Sequence, residues 1–311
     1  MTPPPGNGSL PINVATQLRR FATAVAFLGI CFAIPLWKLV RFAAASDLYS
    51  YILLIPFIGA YLLWLKRGSL PLSTQPARKL AFVFLLAGAA LITVYWLWLR
   101  PLLIARPEDY LLLMTFCFLL LFYGISSLFW GMATIRAAAF PLSFLIFLAP
   151  VPPTGIEEIN SFLQWGSAQV ASGFFSLSGT PFFEDGLAFQ LPDINLAIAP
   201  ECSGIHSTAV LFITALLAGH VFLRTPWKRA LLVLFVIPLA LLRNGFRVFV
   251  IGELCIHIGP QMIFSPLHRK GGPIFFVLSL IPLFIMLLVL LRSEKRRSGQ
   301  APTIQDQRCA N

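Results

Sequence analysis

The sequence predicts an all-α membrane protein, a polytopic bundle of about eight transmembrane helices with an amphipathic helix or loop on the extracytoplasmic side. Hydrophobic residues make up 58% of the 311 residues and charged residues only 11%, and the mean hydropathy is +0.83. Several apolar runs approach or exceed the roughly 18 residues that a membrane-spanning helix requires. Together these observations exclude a soluble globular domain.

Apolar runs separated by polar segments define the predicted spans. In order they are Phe21–Trp37, Tyr49–Leu65, Leu80–Leu99, Tyr110–Trp130, Ala137–Val151, Ile205–Leu223, Ala230–Leu242 and Pro273–Leu291. Residues 1–20 are predicted to be a disordered cytoplasmic N-terminus, residues 21–292 one transmembrane domain, and residues 293–311 a basic cytoplasmic tail. Arg19 and Arg20 fit a twin-arginine or cleaved signal sequence as well as a retained anchor. The anchor is favoured because the later spans need no separate export signal.

Lysine and arginine accumulate on one side of the predicted spans. Of the 23 basic residues, 15 fall in the terminal segments and in the connections after the second, fourth and sixth spans. Because basic residues mark the cytoplasmic side of a membrane protein, both termini are predicted to be cytoplasmic. The net charge of +11 is spread between apolar runs rather than gathered into one patch, which argues against nucleic-acid binding.

The segment from Pro152 to Glu201 is predicted to lie outside the cell membrane, because it contains no lysine or arginine and carries six of the 12 acidic residues. Within it, apolar residues recur at near-helical spacing, with Glu158, Asn160 and Gln164 between them; they are Ile156, Ile159, Leu163, Val170 and Phe174. This pattern is typical of an amphipathic helix, which either lies on the outer membrane surface or packs on the bundle. Weak alternation over Leu187–Leu191 and Asn195–Ile198 predicts a short hairpin.

A cysteine-containing segment, Ala199–Ser207, follows the hairpin and leads into the sixth span. It places Cys202 at the first turn of a predicted helix, where the positive end of the helix dipole stabilises a thiolate. A lone cysteine is more often a small buried apolar residue, and the role of nucleophile therefore depends on what else lies on the same side. The adjacent Glu201 works against a thiolate, because its charge has the same sign.

Two arginines and a histidine are predicted to lie on that side. Arg243 and Arg247 are four residues apart and share a helix face at the end of the seventh span. Arginine at mid-membrane costs on the order of 3 kcal/mol, and two on one face beside Asn244 favour a functional polar site over snorkelling to the headgroups. His268 immediately precedes the last span. A thiolate, a guanidinium that stabilises an oxyanion and an imidazole acid/base are the groups that acyl transfer through a thioester requires.

Three short motifs give the chain a family resemblance. They are Cys-Ser-Gly at Cys202–Gly204, Asn-x-x-Arg at Asn244–Arg247 and His-x-x-x-Gly at His268–Gly272. In their order, their spacing and their placement at the outer ends of late spans, the chain resembles an exosortase, of the exosortase/archaeosortase group of polytopic membrane cysteine transpeptidases. The resemblance covers roughly the whole membrane portion of the chain.

The resemblance implies that Cys202 is the nucleophile, Arg247 the catalytic arginine and His268 the general acid/base. The supporting residues would be Ser203, Gly204, Arg243, Asn244 and Gly272, of which Arg243 falls outside the motif and is either a supporting residue or a contact for a substrate carboxylate. The implied substrates are membrane-anchored proteins with a C-terminal sorting signal of the PEP-CTERM type: a Pro-Glu-Pro-like motif, a transmembrane helix and a basic cluster. The implied setting is the bacterial inner (plasma) membrane and exopolysaccharide export, with no metal or other cofactor.

Two other classes of function are compatible with the sequence. A metal-dependent membrane hydrolase could use Cys202 with His206, Cys255, His257 and His268, although no Cys-x-x-Cys or His-Glu-x-x-His spacing is present. A transporter or non-catalytic membrane subunit would place acids or bases at mid-span. The predicted span interiors are almost free of charge, which favours chemistry at the membrane surface instead.

Overall fold

The computed structural model describes residues 12–71, 75–103, 106–192, 194–200, 203–264 and 272–299, and it confirms the all-α membrane fold class. The helices are α1 (Ile12–Cys31), α2 (Ala33–Ala45), α3 (Ile55–Lys66), α4 (Arg78–Val94), α5 (Arg100–Leu103), α6 (Pro107–Phe129), α7 (Met132–Ala137), α8 (Ala139–Phe144), α9 (Pro153–Ser178), α10 (Ile205–Phe222), α11 (Pro226–Leu234), α12 (Val236–His257) and α13 (Gly272–Gly299). The strands are β1 (Phe183–Asp185), β2 (Ala188–Leu191) and β3 (Ile194–Ala197). The chain divides into two compact units, Met1–Pro153 and Thr154–Asn311.

Several helices of the described chain are long and apolar enough to cross a membrane. Five qualify alone: Arg78–Leu99, Pro107–Phe129, Ile205–Phe222, Pro226–His257 and Gly272–Arg296. The number rises to seven if Ala15–Cys31 with Ala33–Ala45, and Ala139–Leu148 with Pro153–Ser178, each count as one span. The stretch Ser50–Lys66 is apolar but shorter. Each predicted span overlaps an apolar helical segment, but five to seven segments of the described chain qualify as spans, fewer than the predicted eight. The chain is a multi-pass membrane protein.

In the first unit, the first predicted span is broken in the middle. Helices α1 and α2 meet at Phe32 with a bend of 73°. The cause is Pro35, which has no N–H to donate to the carbonyl of Cys31 and whose ring clashes with that carbonyl. Helix α1 begins at Ile12, so the part of the predicted disordered N-terminus from residue 12 onwards is helical, whereas residues 1–11 lie outside the described part of the chain.

The first unit is held together by close packing of α4 against α6. A Cβ atom added to Gly88 would lie 2.9 Å from Cδ2 of Leu121, and one added to Gly124 would lie 2.7 Å from Cδ2 of Leu85. Such distances are too short for real Cβ atoms, and each glycine therefore lets a leucine of the facing helix approach its backbone. Small residues are a common means of close helix packing in membranes, where lipid supplies no hydrophobic driving force.

In the second unit, α9 and α12 enclose a small antiparallel sheet of order β1-β2-β3. The predicted hairpin is confirmed as β2 and β3, in the register Phe189 opposite Leu196, and β1 adds a strand that the sequence pattern did not indicate. Phe175 of α9 and Phe189 of β2 are fully buried and pack in one core with Cys255 of α12. The sheet therefore anchors the segment that leads into α10.

Helices α10 to α13 form a second apolar core, which includes Leu211, Leu232 and Leu283. The start of α11 is fixed by Glu294 of α13, whose carboxylate accepts hydrogen bonds from the backbone N–H groups of Arg224 at 3.1 Å and Thr225 at 2.9 Å. The carboxylate thus binds two backbone N–H groups that immediately precede α11, and its negative charge complements the positive end of the helix dipole.

One predicted boundary is wrong. The seventh span was predicted to end near Leu242, but α12 continues to His257. Arg243 and Asn244, which the hydropathy pattern treats as the end of a span, find hydrogen-bond partners inside the second unit. Gly245 allows the helix to continue in close contact with α9, since an added Cβ would lie 2.5 Å from Cγ1 of Val170.

Candidate active site

A polar stripe along α9 organises the candidate site in the second unit. Asn160, Gln164 and Ser167 are spaced i, i+4 and i+7 and therefore share one helix face. Each makes a hydrogen bond to a different segment: Asn160 Oδ1 accepts from Ser203 Oγ at 2.6 Å, Gln164 Nε2 donates to the carbonyl of Ile198 at 2.7 Å, and Ser167 Oγ accepts from Asn244 Nδ2 at 3.0 Å. The stripe thus fixes both the end of the hairpin and α12.

Gly204 forms the N-terminus of α10 in a conformation that favours glycine. Its φ is +74°, in the left-handed region, where other residues carry a steric penalty. Its carbonyl accepts hydrogen bonds from Ser207 Oγ at 3.0 Å and from Thr208 Oγ1 at 2.8 Å. Ser203, just before it, is buried and accepts a long 3.4 Å bond from the N–H of Ile205 at its Oγ. The carbonyl of Gly204 is consequently held by two hydroxyl groups from the first turn of α10.

Arg243 reaches from α12 to this turn. Its Nη2 donates to the carbonyl of Gly204 at 3.1 Å and to Thr208 Oγ1 at 3.1 Å. The residue is only 7% exposed, and its Nη1 is buried with no hydrogen-bond partner among the described residues. A buried guanidinium nitrogen without a partner is costly, and its presence beside the Cys-Ser-Gly motif indicates a site for an acceptor atom.

Asn244 completes the contact between the two motifs. An added Cβ on Gly204 would lie 2.8 Å from Nη2 of Arg243 and 3.2 Å from Oδ1 of Asn244. Asn244 is buried, and its Nδ2 donates a hydrogen bond to Ser167 Oγ. The Cys-Ser-Gly and Asn-x-x-Arg motifs, well separated in sequence, therefore meet in the second unit through Gly204, Arg243 and Asn244.

Beside Arg243 lies an apolar cavity of about 250 Å³ within the second unit. Its walls come from α9, α12 and α13 and consist of Phe174, Leu239, Leu242, Phe246, Phe275, Leu278 and Pro282, with Arg243 and Ser279 as the polar lining residues. The guanidinium of Arg243 thus lies between the turn at Gly204 and this apolar cavity.

The remaining predicted site residues have different outcomes. Arg247 lies on α12 one turn after Arg243, is half-buried and takes part in interactions of its own. Gly272 is the first residue of α13, and no described residue outside its own helix comes within 4 Å of an added Cβ. Cys202 and His268 lie outside the described residues. The roles of Cys202, Arg247, His268 and Gly272 therefore stay predictions.

The orientation predicted for α9 is partly wrong. The helix itself is confirmed, but Gln164, expected on its solvent side, is buried at 6% exposure, whereas Ile159, expected on the packed side, is 42% exposed. The reason is that the polar face supplies hydrogen bonds to the site. Asn160, Gln164 and Ser167 are the site residues that sequence reasoning missed, and their i, i+4, i+7 spacing was the available signal.

A second polar cluster lies at the far end of α12. Glu253 accepts hydrogen bonds from Thr180 Oγ1 at 2.5 Å and from Ser178 Oγ at 3.3 Å, and it lies 3.2 Å from Nε2 of His257. In the described part of the chain, no group of three His, Cys, Asp or Glu side chains is placed to hold a metal ion. Two ligands of the alternative zinc site, Cys202 and His268, lie outside that part.

The fold and this network define a multi-pass membrane protein with a buried polar site that joins the N-terminus of one apolar helix to the middle of another. The family model for transmembrane exosortases matches residues 37–285. This match spans most of the chain, and the protein belongs to the transmembrane exosortase family. No curated protein and no solved structure gives a match.

Proposed function

We propose that the chain is a cysteine transpeptidase that cleaves C-terminal sorting signals of exported membrane-anchored proteins and transfers the new C-terminus to an acceptor. The observation that carries this proposal is the contact of the two motifs: Arg243 and Asn244 lie against Gly204, two residues after Cys202. Family membership supports the same class of reaction. The uneven distribution of lysine and arginine supports cytoplasmic termini and a site on the extracytoplasmic face of the inner membrane.

The reaction proceeds through a thioester. The Cys202 thiolate attacks the carbonyl carbon of the scissile peptide bond, and Arg247 stabilises the negative charge that develops on the carbonyl oxygen. The C–N bond then breaks, and His268 protonates the leaving amine. An acceptor nucleophile, deprotonated by His268, attacks the thioester and restores the thiolate.

The buried network prepares the turn for this chemistry. Arg243 and the hydroxyls of Ser207 and Thr208 hold the carbonyl of Gly204, while Ser203 is fixed by Asn160. In this proposal, the cationic Arg243 and the N-terminus of α10, both in contact with Gly204, favour a thiolate at Cys202, two residues earlier in the chain. Nη1 of Arg243, which has no partner among the described residues, can donate a hydrogen bond to an oxygen of the substrate, and the adjoining apolar cavity suits an apolar substrate segment.

The first test replaces the nucleophile. Cys202→Ala should abolish processing of a co-expressed reporter that ends in a Pro-Glu-Pro-type motif, a transmembrane helix and an arginine cluster, because no thioester can form. Cys31→Ala is the matched control, since Cys31 is an exposed thiol outside the site, and it should process normally. Immunoblotting follows cleavage, and mass spectrometry of the new C-terminus identifies the acceptor. Continued cleavage by the Cys202→Ala variant would refute the proposal.

A second test separates thiol from metal chemistry. An alkylating reagent should stop processing in membranes that contain the wild-type chain, whereas a zinc chelator should leave the rate unchanged. The opposite pattern would favour the metal-dependent hydrolase, which could draw on Cys202, His206 and His268.

A further inference from the structure

The first unit contains a basic cavity that the proposed reaction does not use. It has a volume of about 500 Å³ and is lined by Lys38, Arg41 and Phe42 of α2, Tyr95, and Pro107, Tyr110 and Leu111 of α6. This volume lies within the range of small-ligand sites, roughly 300 to 1,000 Å³. The lining residues that the structure describes carry two positive charges and no carboxylate.

Local backbone features of two helices form the cavity. The bend at Phe32 changes the direction of α2, the helix that carries Lys38 and Arg41. Tyr95 begins a π-helical turn, Tyr95–Leu99, that follows α4, and such wide turns displace side chains from their usual helical positions. The rings of Tyr95 and Tyr110 lie 5.8 Å apart and provide aromatic walls.

The two cations lack an anionic partner in the described part of the chain. Lys38 Nζ lies 5.2 Å above the ring of Tyr110, and neither Lys38 nor Arg41 has a carboxylate within the 4.0 Å limit of an ion pair. The acidic residues near the start of α6 do not neutralise them: Asp109 pairs with Arg106 at 3.8 Å, and Glu108 does not line the cavity.

Other basic residues of this unit have partners of a different kind. The guanidinium of Arg67 stacks on Trp64 at 4.5 Å from the ring centroid, and that of Arg100 stacks on Trp96 at 4.7 Å. Lys66 donates to the carbonyl of Ala137 at 3.3 Å. The cavity is therefore a place where a lysine and an arginine, three residues apart on one face of α2, face an open volume.

We propose that this cavity binds the phosphate group of an anionic ligand, with Lys38 and Arg41 as its counter-charges and the two tyrosines as its walls. Phosphate suits the pair because its several acceptor oxygens can be shared between a guanidinium fork and an ammonium group. The source that best fits a multi-pass membrane protein is the headgroup of an anionic phospholipid, since basic pockets between membrane helices bind such headgroups. Trp96 and Trp98, on the same π-helical turn, are 58% and 76% exposed and suit contact with the lipid interface.

The test uses the full-length chain purified in a non-ionic detergent and three probes: phosphatidylglycerol, phosphatidylcholine and glycerol 1-phosphate. We expect native mass spectrometry to show one retained phosphatidylglycerol and thermal unfolding to show a higher Tm with that lipid, with little response to phosphatidylcholine. A response to glycerol 1-phosphate of equal size would support the phosphate site and assign it to a soluble phosphate ester instead.

Paired variants locate the binding. Lys38→Gln/Arg41→Gln should weaken phosphatidylglycerol binding about tenfold or more, since two charge-assisted contacts are lost. The matched control Arg19→Gln/Arg20→Gln removes two exposed cations of α1 and should bind normally. The exchange Lys38→Arg/Arg41→Lys preserves both positive charges and should retain binding. Retained binding would show that the loss in the glutamine variant comes from the missing charges and not from misfolding. Equal weakening in the control pair, or no binding by the wild-type chain, would overturn the assignment.

Discussion

The two units of this protein differ in the kind of polar group that they bury. Among the described residues, the buried polar side chains of the first unit are all hydroxyls, namely Thr115, Ser126, Ser127 and Thr134. The second unit buries hydroxyls too, but also two amides and two cations, namely Gln164, Asn244, Arg243 and Lys228. The buried interior of the first unit thus resembles that of a plain membrane bundle, whereas the interior of the second unit is built around a polar site.

The difference has a physical basis. A hydroxyl can bond to a carbonyl of its own helix, as Ser126 does to Phe122 at 2.7 Å, and then it requires no partner on another element. Thr134 instead donates to the carbonyl of Pro71. An amide or a guanidinium has more donors than its own helix can satisfy, and it must find partners on other elements. Arg243 finds them at Gly204 and Thr208. The second unit therefore depends on exact mutual placement of α9, α10 and α12.

Within the buried network of the second unit, the largest expected effect is the loss of the Arg243 guanidinium. Arg243→Gln should reduce processing of the reporter by about 10- to 100-fold, because hydrogen bonds of a charged group contribute about 1.5–3 kcal/mol. Arg243→Lys should lie between this variant and wild type, since it keeps the charge but loses the fork. Processing rates per folded enzyme in membranes would measure both effects.

Lys228 offers the control for this prediction. It is as deeply buried as Arg243, at 1% exposure, but its Nζ bonds to the carbonyl of Leu290 and to Ser293 Oγ, which belong to helix packing. Lys228→Met should change the Tm and leave the processing rate per folded enzyme unchanged. If both variants slow processing equally, Arg243 has only a packing role.

The next effect concerns the turn that carries the Cys-Ser-Gly motif. Gly204→Ala places a Cβ on a residue with positive φ and 2.8 Å from Arg243 Nη2, which should cost about 1–2 kcal/mol from the backbone alone and slow processing about tenfold. Gly173→Ala is its counterpart, because Gly173 lies within α9 and nothing is within 4 Å of an added Cβ. That variant should stabilise the chain by about 0.5–1 kcal/mol. A Gly204→Ala enzyme with normal activity would show that the turn need not be rigid.

Hydropathy was sufficient to predict the membrane class and the positions of the long apolar helices, because apolar runs of this length are typical of membrane spans. It predicted about eight spans, whereas five to seven segments of the described chain qualify. The hydropathy pattern failed where buried polar residues find hydrogen-bond partners inside the protein. The end of α12 was placed too early because a hydropathy pattern counts Arg243 and Asn244 against a span and cannot see their partners.

The candidate site shows the same limit. The motifs indicated that Gly204 and Asn244 belong to one site, and the structure brings those two residues together. Periodicity showed that α9 has a polar and an apolar face but not which of them faces the core, and the roles of Asn160, Gln164 and Ser167 were therefore missed. The proposed roles of Cys202 and His268 stay predictions, since both lie outside the described residues.

The smallest effect tests the contrast between the units most directly, through two buried serines. Ser203→Ala removes the donor to Asn160 Oδ1 at 2.6 Å and leaves that oxygen without its partner, so the free energy of unfolding should fall by about 1–3 kcal/mol. Ser126→Ala, in the first unit, removes a bond within one helix and should change it by less than about 0.5 kcal/mol. The double variant Ser203→Ala/Asn160→Leu should recover much of the loss, because no polar atom is then stranded. Denaturation in detergent would measure the free energy of unfolding of all three variants. Equal losses at Ser203 and Ser126 would show that the buried polar groups of the first and second units do not differ in this way.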